Sequence, residues 1–176
     1  MRKLLMTTAG VLASAASATA LPTAANAQEP NSPKVDTVEI PASQLSPKPF
    51  AGPGTNAAAD GTCFGATAFR ITGTDRRVVI PTTSNNSGNT NCLLVNGNSG
   101  SGVSALQTAL EWCPPHIDIG EIDGKYGDKT TAGVKKVQDF HGIAVDGKYG
   151  PQTRNAMYWP EFVGTTFINR CARMAF

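Results

Sequence analysis

The sequence predicts a mainly α fold, a small three-helix bundle with a disulfide-closed N-terminal extension that has room for short β-strands. Three observations lead there: one turn motif written twice, apolar residues at helical spacing around both copies, and four cysteines at the margins of the helical segments. The two copies are Ile122-Asp123-Gly124-Lys125-Tyr126-Gly127-Asp128-Lys129-Thr130 and Val145-Asp146-Gly147-Lys148-Tyr149-Gly150-Pro151-Gln152-Thr153, 23 residues apart. A short motif repeated at this spacing marks one structural unit used twice. In each copy the aspartate (Asp123, Asp146) can accept a backbone N–H two residues on. The glycines (Gly124 and Gly127, Gly147 and Gly150) suit tight turns. Each copy therefore reads as a turn that launches a helix.

The first helix carries Val103, Leu106, Ala109 and Leu110 as its apolar stripe, and Ser101 in the preceding Gly97-Asn98-Ser99-Gly100-Ser101-Gly102 is a candidate N-cap. The second follows the first turn, with Val134, Val137 and Phe140 spaced by three and Lys135 and Gln138 pointing elsewhere. Gly142 stops it, and Ile143 folds back on its last turn. The third starts at Pro151, where a missing N–H costs nothing. It runs through Ala156 and Met157, and Pro160 ends it. None of the three can bury its stripe alone, so they pack together.

These residues resemble a known family. Leu94…Gly97…Gly102-Val103…Leu106-Gln107…Leu110, then Asp123-Gly124-Lys125-Tyr126-Gly127…Thr130…Val134…Val137-Gln138…Gly142-Ile143, then Asp146-Gly147-Lys148-Tyr149-Gly150-Pro151…Thr153…Ala156 are similar to the peptidoglycan-binding-like domain. That family is a three-helix module of secreted bacterial hydrolases, which it holds on the cell wall. The resemblance covers residues 92–159. Asp128 replaces the family's usual Pro, Gly133 its Ala, and Val137 its aromatic residue. A mid-helix Gly is worth about 1 kcal/mol less than Ala, so the second helix is either less stable or packed unusually close. The resemblance implies peptidoglycan as the partner. Tyr126 and Tyr149 are candidates to stack on sugar rings, and Lys125, Lys148 and Arg154 to meet peptide carboxylates. The alternative is that both tyrosines pack inward with their hydroxyls at the rim.

Residues 1–27 read as a secretory signal peptide: Met1-Arg2-Lys3, an alanine-rich apolar run, and Ala25-Asn26-Ala27 at the cleavage site. Polar residues and Pro22 interrupt the run too often for a membrane helix, so no span is expected after cleavage. Cleavage takes Arg2 and Lys3 from the 15 basic residues and leaves the 13 acidic ones, so the mature chain is formally neutral. That balance gives no case for nucleic acid or an anionic membrane as partner. Residues 28–60, with Pro30, Pro33, Pro41, Pro47, Pro49 and Pro53, read as a disordered Pro-rich linker. In the extension, 61–91, and just beyond it, Ala68-Phe69-Arg70-Ile71, Val78-Val79-Ile80 and Leu93-Leu94-Val95 are candidate strands. Residues 160–176 remain as a C-terminal tail.

Four cysteines in an exported chain suggest two disulfides. Cys63–Cys92 with Cys113–Cys171 closes each peripheral segment separately and is the favoured pairing. A crossed pattern stays open. The spacing offers no zinc motif. His116, in a loop after Pro114-Pro115, and His141, at a helix end, could join Asp118 or Asp139 in a metal or acid–base site. The simpler reading is one loop histidine and one helix-end histidine. No nucleophile elbow, metalloprotease helix motif or phosphate loop occurs, and Asp123 and Asp146 serve their turns rather than form a glycosidase pair. Trp112, Tyr158 and Trp159 read as core packing at helix ends. The expectation is a secreted, monomeric, non-catalytic peptidoglycan-binding protein, with no cofactor and no metal. The competing reading is a secreted interaction or inhibitor module on the same scaffold.

Overall fold

The computed structural model describes residues 38–40 and 61–174. The expected signal peptide at 1–27 and, apart from 38–40, the expected Pro-rich linker at 28–60 lie outside the described residues. The element order is β1 (Val38–Ile40), β2 (Gly65–Ile71), β3 (Arg76–Thr82), α1 (Ser101–Trp112), α2 (Asp128–Phe140), α3 (Pro151–Ala156), β4 (Tyr158–Val163) and β5 (Thr166–Arg173). The strands form one sheet in sequence order. β2 to β5 are antiparallel, and β1 lies parallel to β2 with Val38 opposite Phe69.

The mainly α three-helix bundle is therefore corrected to an α+β fold. Three helices are present, but an antiparallel sheet built from both sides of the helical segment carries as much of the structure. β2 and β3 come from the extension. β4 and β5 come from the stretch that reads in sequence as the end of the third helix and the tail. They join when Arg76, Arg77 and Val78 pair with Val163, Phe162 and Glu161. At the seam Glu161, only 3% exposed, takes the Arg76 guanidinium at 2.5 Å. Burying that carboxylate without its partner would be far more expensive than burying the pair.

Pro160 ends the helical pattern, as expected, yet stands inside a strand. β4 bulges between Pro160 and Phe162, and its ladder with β3 stops at Glu161. A residue with no N–H to donate is tolerated at such a point.

α1 packs across β2, β3 and β4. Val103, Leu106 and Leu110 meet Phe69, Val78, Ile80 and Trp159 in one core, which Val134, Val137, Tyr126 and Tyr149 extend. The start of α1 comes so close to the extension that a Cβ on Gly102 would stand 2.4 Å from the Cys63 carbonyl oxygen and 2.7 Å from that of Gly65. The helix begins at Ser101 with Gly100 as N-cap, so Ser101 is not the cap. Its hydroxyl instead bonds the Asn85 side chain at 2.7 Å.

The second helix is also corrected at two positions. Phe140 is 57% exposed, whereas Gln138 is buried at 2%. Gly142 closes the helix as expected: at φ 64° its N–H reaches the Asp139 carbonyl and the Ile143 N–H reaches that of Gln138, both at 3.0 Å. Gly133 is the close-packing case. A Cβ there would fall 2.8 Å from Ile119 Cγ2 and 3.3 Å from Leu110 Cδ1. Ile119 is β-branched and buried, so it cannot swing away. Gly133→Ala should lower the urea midpoint, because overpacking at about 1–3 kcal/mol exceeds the helix gain of about 1 kcal/mol. An increased midpoint would show that Ile119 yields freely.

The disulfides join Cys63 to Cys92 and Cys113 to Cys171. The first fixes the strand-bearing extension to the chain entering α1, and the second ties the end of α1 to β5. Complete reduction should remove about 3–4 kcal/mol for each closed loop in the chain-entropy view. The loss is readable as a lower melting temperature, and an unchanged melt would show that the core alone holds sheet and helices together.

Candidate functional site

Both repeated turns are built by the same device. In the first, the Gln107 amide nitrogen donates to Asp123 Oδ1 at 2.9 Å, the Lys125 carbonyl at 3.1 Å and Thr130 Oγ1 at 3.2 Å. Its oxygen accepts the Gly124 N–H at 2.8 Å. In the second, Gln138 donates to Asp146 Oδ1 at 2.8 Å, the Lys148 carbonyl at 2.9 Å and Thr153 Oγ1 at 3.0 Å, and accepts the Gly147 N–H at 2.8 Å. Each helix thus clamps the turn that follows it through one buried glutamine. Asp123 and Asp146 also accept the Lys125 and Lys148 N–H groups at 2.9 Å. Gly124 and Gly147 take positive φ of 69° and 72°, which other residues adopt only under strain. Gly127 and Gly150 have extended backbones as the N-caps of α2 and α3.

This geometry settles where the candidate binding residues stand. Tyr126 and Tyr149 are 1% and 0% exposed, so neither ring offers a face to a sugar. Tyr126 donates from its hydroxyl to the Gly147 carbonyl at 2.9 Å, which ties the first turn to the second. Burial pushes both phenols well above their usual range. Arg154 is 5% exposed, and its guanidinium donates to the Thr90 carbonyl and hydroxyl at 2.7 and 2.8 Å. It anchors the extension to α3 and is not available to a ligand. Lys125 and Lys148 are exposed. Trp159 is buried with its N–H on the Arg154 carbonyl, Tyr158 is half-buried, and Trp112 is 36% exposed.

Asp123 and Lys125 open onto a groove of about 610 Å³ that also takes in Gln107, Glu121, Asp128, Lys129 and Thr130. The Gln107 amide, and then the Lys125 N–H, hold the Asp123 carboxyl below the usual carboxylate range, so it is anionic in use. Asp128 is held by the Asn96 side chain at 2.8 Å and suits the start of α2. Among the described residues, Glu121, Lys125 and Lys129 form no ion pair within the chain. Two cations and a carboxylate are thus free to meet a zwitterionic ligand. Composition alone could not single out Glu121 and Lys129. They join the groove because residues 117–119 fold onto Gly133.

The two histidines stay apart. His116 is exposed beside Asp118 and Asp139 in a second groove, while His141 lies half-buried against Phe140, Tyr158 and Arg173. Among the described residues no cluster of three or more potential metal ligands occurs. Burial, with the Arg173 guanidinium beside it, pulls the His141 imidazole down to about 4 from 6.5. The unfolded chain therefore takes up this proton first. The stability held by neutral His141 is complete above about 6.5 and is lost as pH falls toward 4. The melting temperature should decline more steeply across that window in the wild type than in His141→Gln, and equal slopes would contradict the assignment.

Asp146→Ala removes two of the bonds around the second turn and should lower stability by about 2 kcal/mol, at about 1 kcal/mol for each hydrogen bond. Unchanged melting with lost ligand binding would instead make Asp146 a ligand contact.

Comparisons with known proteins fall on this part of the chain. Residues 99–157 match the model of a family described as a putative peptidoglycan binding domain. N-acetylmuramoyl-L-alanine amidase CwlL of Bacillus licheniformis is 43% identical over 75 residues, covering 43% of this chain and 21% of the amidase. The zinc D-Ala-D-Ala carboxypeptidase of Streptomyces albus G is 38% identical over 65 residues, covering 37% of this chain and 26% of the enzyme. The chain thus spans about a fifth to a quarter of the length of these relatives. A crystal structure of a peptidoglycan-binding protein from Clostridioides difficile, in complex with glutamine hydroxamate, is 27% identical with a TM-score of 0.35 and covers 50% of this chain and 53% of that one. The stretch that matches the putative peptidoglycan binding domain, residues 99–157, takes in both clamped turns.

Proposed function

We propose that this protein is a secreted, non-catalytic peptidoglycan-binding protein that meets the cell wall through the groove beside the first turn. The family match over residues 99–157 carries the reading. Two structural features support it. The groove lays Lys125 and Lys129 beside anionic Asp123 and Glu121, a fit for a peptide stem bearing both carboxylates and amines. The disulfides suit an oxidising, extracellular compartment. The residues around the groove hold turns and helix starts, and its polar groups bind and orient without supplying a nucleophile beside a base.

Charge reversal tests the groove. Lys125→Glu with Lys129→Glu should weaken retention on insoluble peptidoglycan at least tenfold with the melting temperature kept, since both side chains are exposed. Undiminished retention would place binding elsewhere.

A further inference from the structure

Phe140 takes no part in the core or in the groove at the first turn. It sits at helical spacing with Val134 and Val137, yet its side chain is 57% exposed, and its ring lies T-shaped to that of His141 at 4.9 Å between centroids. It lines a groove of about 380 Å³ together with Lys136, Asp118, Asp139 and His116. Among the described residues, Lys136, Asp118 and Asp139 form no ion pair within the chain. The Phe140 ring thus stands in water beside Lys136 and two carboxylates, Asp139 and Asp118, the latter also accepting the Gly120 N–H at 2.9 Å.

The position of this groove is as informative as its lining. Residues 115–121 run between it and the groove at the first turn, with Ile117 and Ile119 packed on Gly133. The two grooves share α2: Lys129 lines one and Asp139 the other. Ten residues at the helical rise place them about 15 Å apart. An extended polymer, not a small metabolite, fits such a pair.

We infer that the Phe140 groove is a glycan subsite, in which a sugar ring stacks on Phe140, a sugar-borne carboxylate meets Lys136, and hydroxyl or amide donors meet Asp118 and Asp139. The inference rests on the proposed wall-binding function and divides the ligand, with sugar at Phe140 and peptide at Lys125 and Lys129. The chemistry fits: the C–H face of a pyranose is apolar while its rim donates and accepts hydrogen bonds, and the groove offers one ring with charges around it.

Two probes separate the parts, intact insoluble peptidoglycan and glycan strands stripped of peptide. Wild-type protein should bind both. Phe140→Ala should lose about tenfold in affinity for the stripped strands, the scale of one aromatic contact, and Lys136→Glu should lose affinity for them as well. Lys125→Glu with Lys129→Glu should lose a larger factor in affinity for intact peptidoglycan than for stripped strands. Melting curves control for folding, which the exposure of Phe140 and Lys136 leaves intact. Wild-type binding to intact wall but not to stripped strands, or Phe140→Ala binding them undiminished, overturns the glycan subsite alone. No wild-type binding to either probe overturns the function on which it rests.

Discussion

Gly102→Ala should cost the protein about 3 kcal/mol or more, enough to leave a large unfolded fraction at 37 °C. Alanine is the better helix former, so propensity alone gives the opposite sign. The added methyl, however, would meet the backbone carbonyls of Cys63 and Gly65 at 2.4 and 2.7 Å. Neither carbonyl can rotate aside as a side chain does, since Cys63 is held by its disulfide and Gly65 by the pairing of β2 with β3. Either α1 lifts from β2, exposing Val103, Leu106 and Phe69, or the strand shifts its register. Gly127→Ala is the control. Gly127 has φ −97°, and no atom stands within 4 Å of where the new methyl would lie, so alanine there should cost only the poorer N-cap, about 1 kcal/mol or less. Denaturant midpoints measured on both variants decide the matter. Similar midpoints would mean that the contact of α1 with the extension is loose.

The second large effect belongs to the glutamine clamps. Gln138→Leu keeps the bulk but removes three donated bonds and one accepted one, leaving the Gly147 N–H and the Lys148 carbonyl without the glutamine partner. At about 1 kcal/mol for each lost bond, the total is about 3–4 kcal/mol, and Gln107→Leu should match it. Gln138→Glu gives a sharper signature. It sets a second carboxylate against Asp146, and like charges at that distance raise the pKa of one of them. The raised group binds its proton more tightly in the folded state than in the unfolded one. The variant is therefore weakest at neutral pH and recovers as pH falls through the raised value. A Gln138→Glu variant as stable as the wild type at neutral pH would show that the amide donors contribute nothing.

What can be read from the sequence follows the range of the interactions. The turns at 123–127 and 146–150, the Pro151 helix start and the Gly142 stop are local, each set by one residue's allowed dihedrals, and the structure has all of them. Gln138 lies inside against expectation, because polarity alone points a side chain to solvent. The sign of its burial is its place in the repeat, equivalent to Gln107. Phe140 departs in the other direction, since an apolar stripe does not reveal where a helix runs beyond the core. The sheet is out of reach for a different reason. β3 and β4 meet through Arg76 and Glu161, 85 positions apart, and Pro160 gives the second of these strands the look of a helix stop. Strand pairing depends on partners and not on local pattern. Tyr126 and Tyr149 suit a core and a sugar equally well in sequence. What decides for Tyr149 is Leu94, which exchanges backbone hydrogen bonds with it at 2.8 and 2.9 Å and draws that turn inward.

We propose that the disulfide-bonded protein holds peptidoglycan without cutting it. Cosedimentation with purified, insoluble peptidoglycan sacculi, followed by assay of the supernatant, tests both halves at once. The expected result is protein in the pellet, and no reducing sugar or free amine released above that of a heat-denatured control. Protein left wholly in the supernatant contradicts the binding, and released fragments contradict the absence of catalysis.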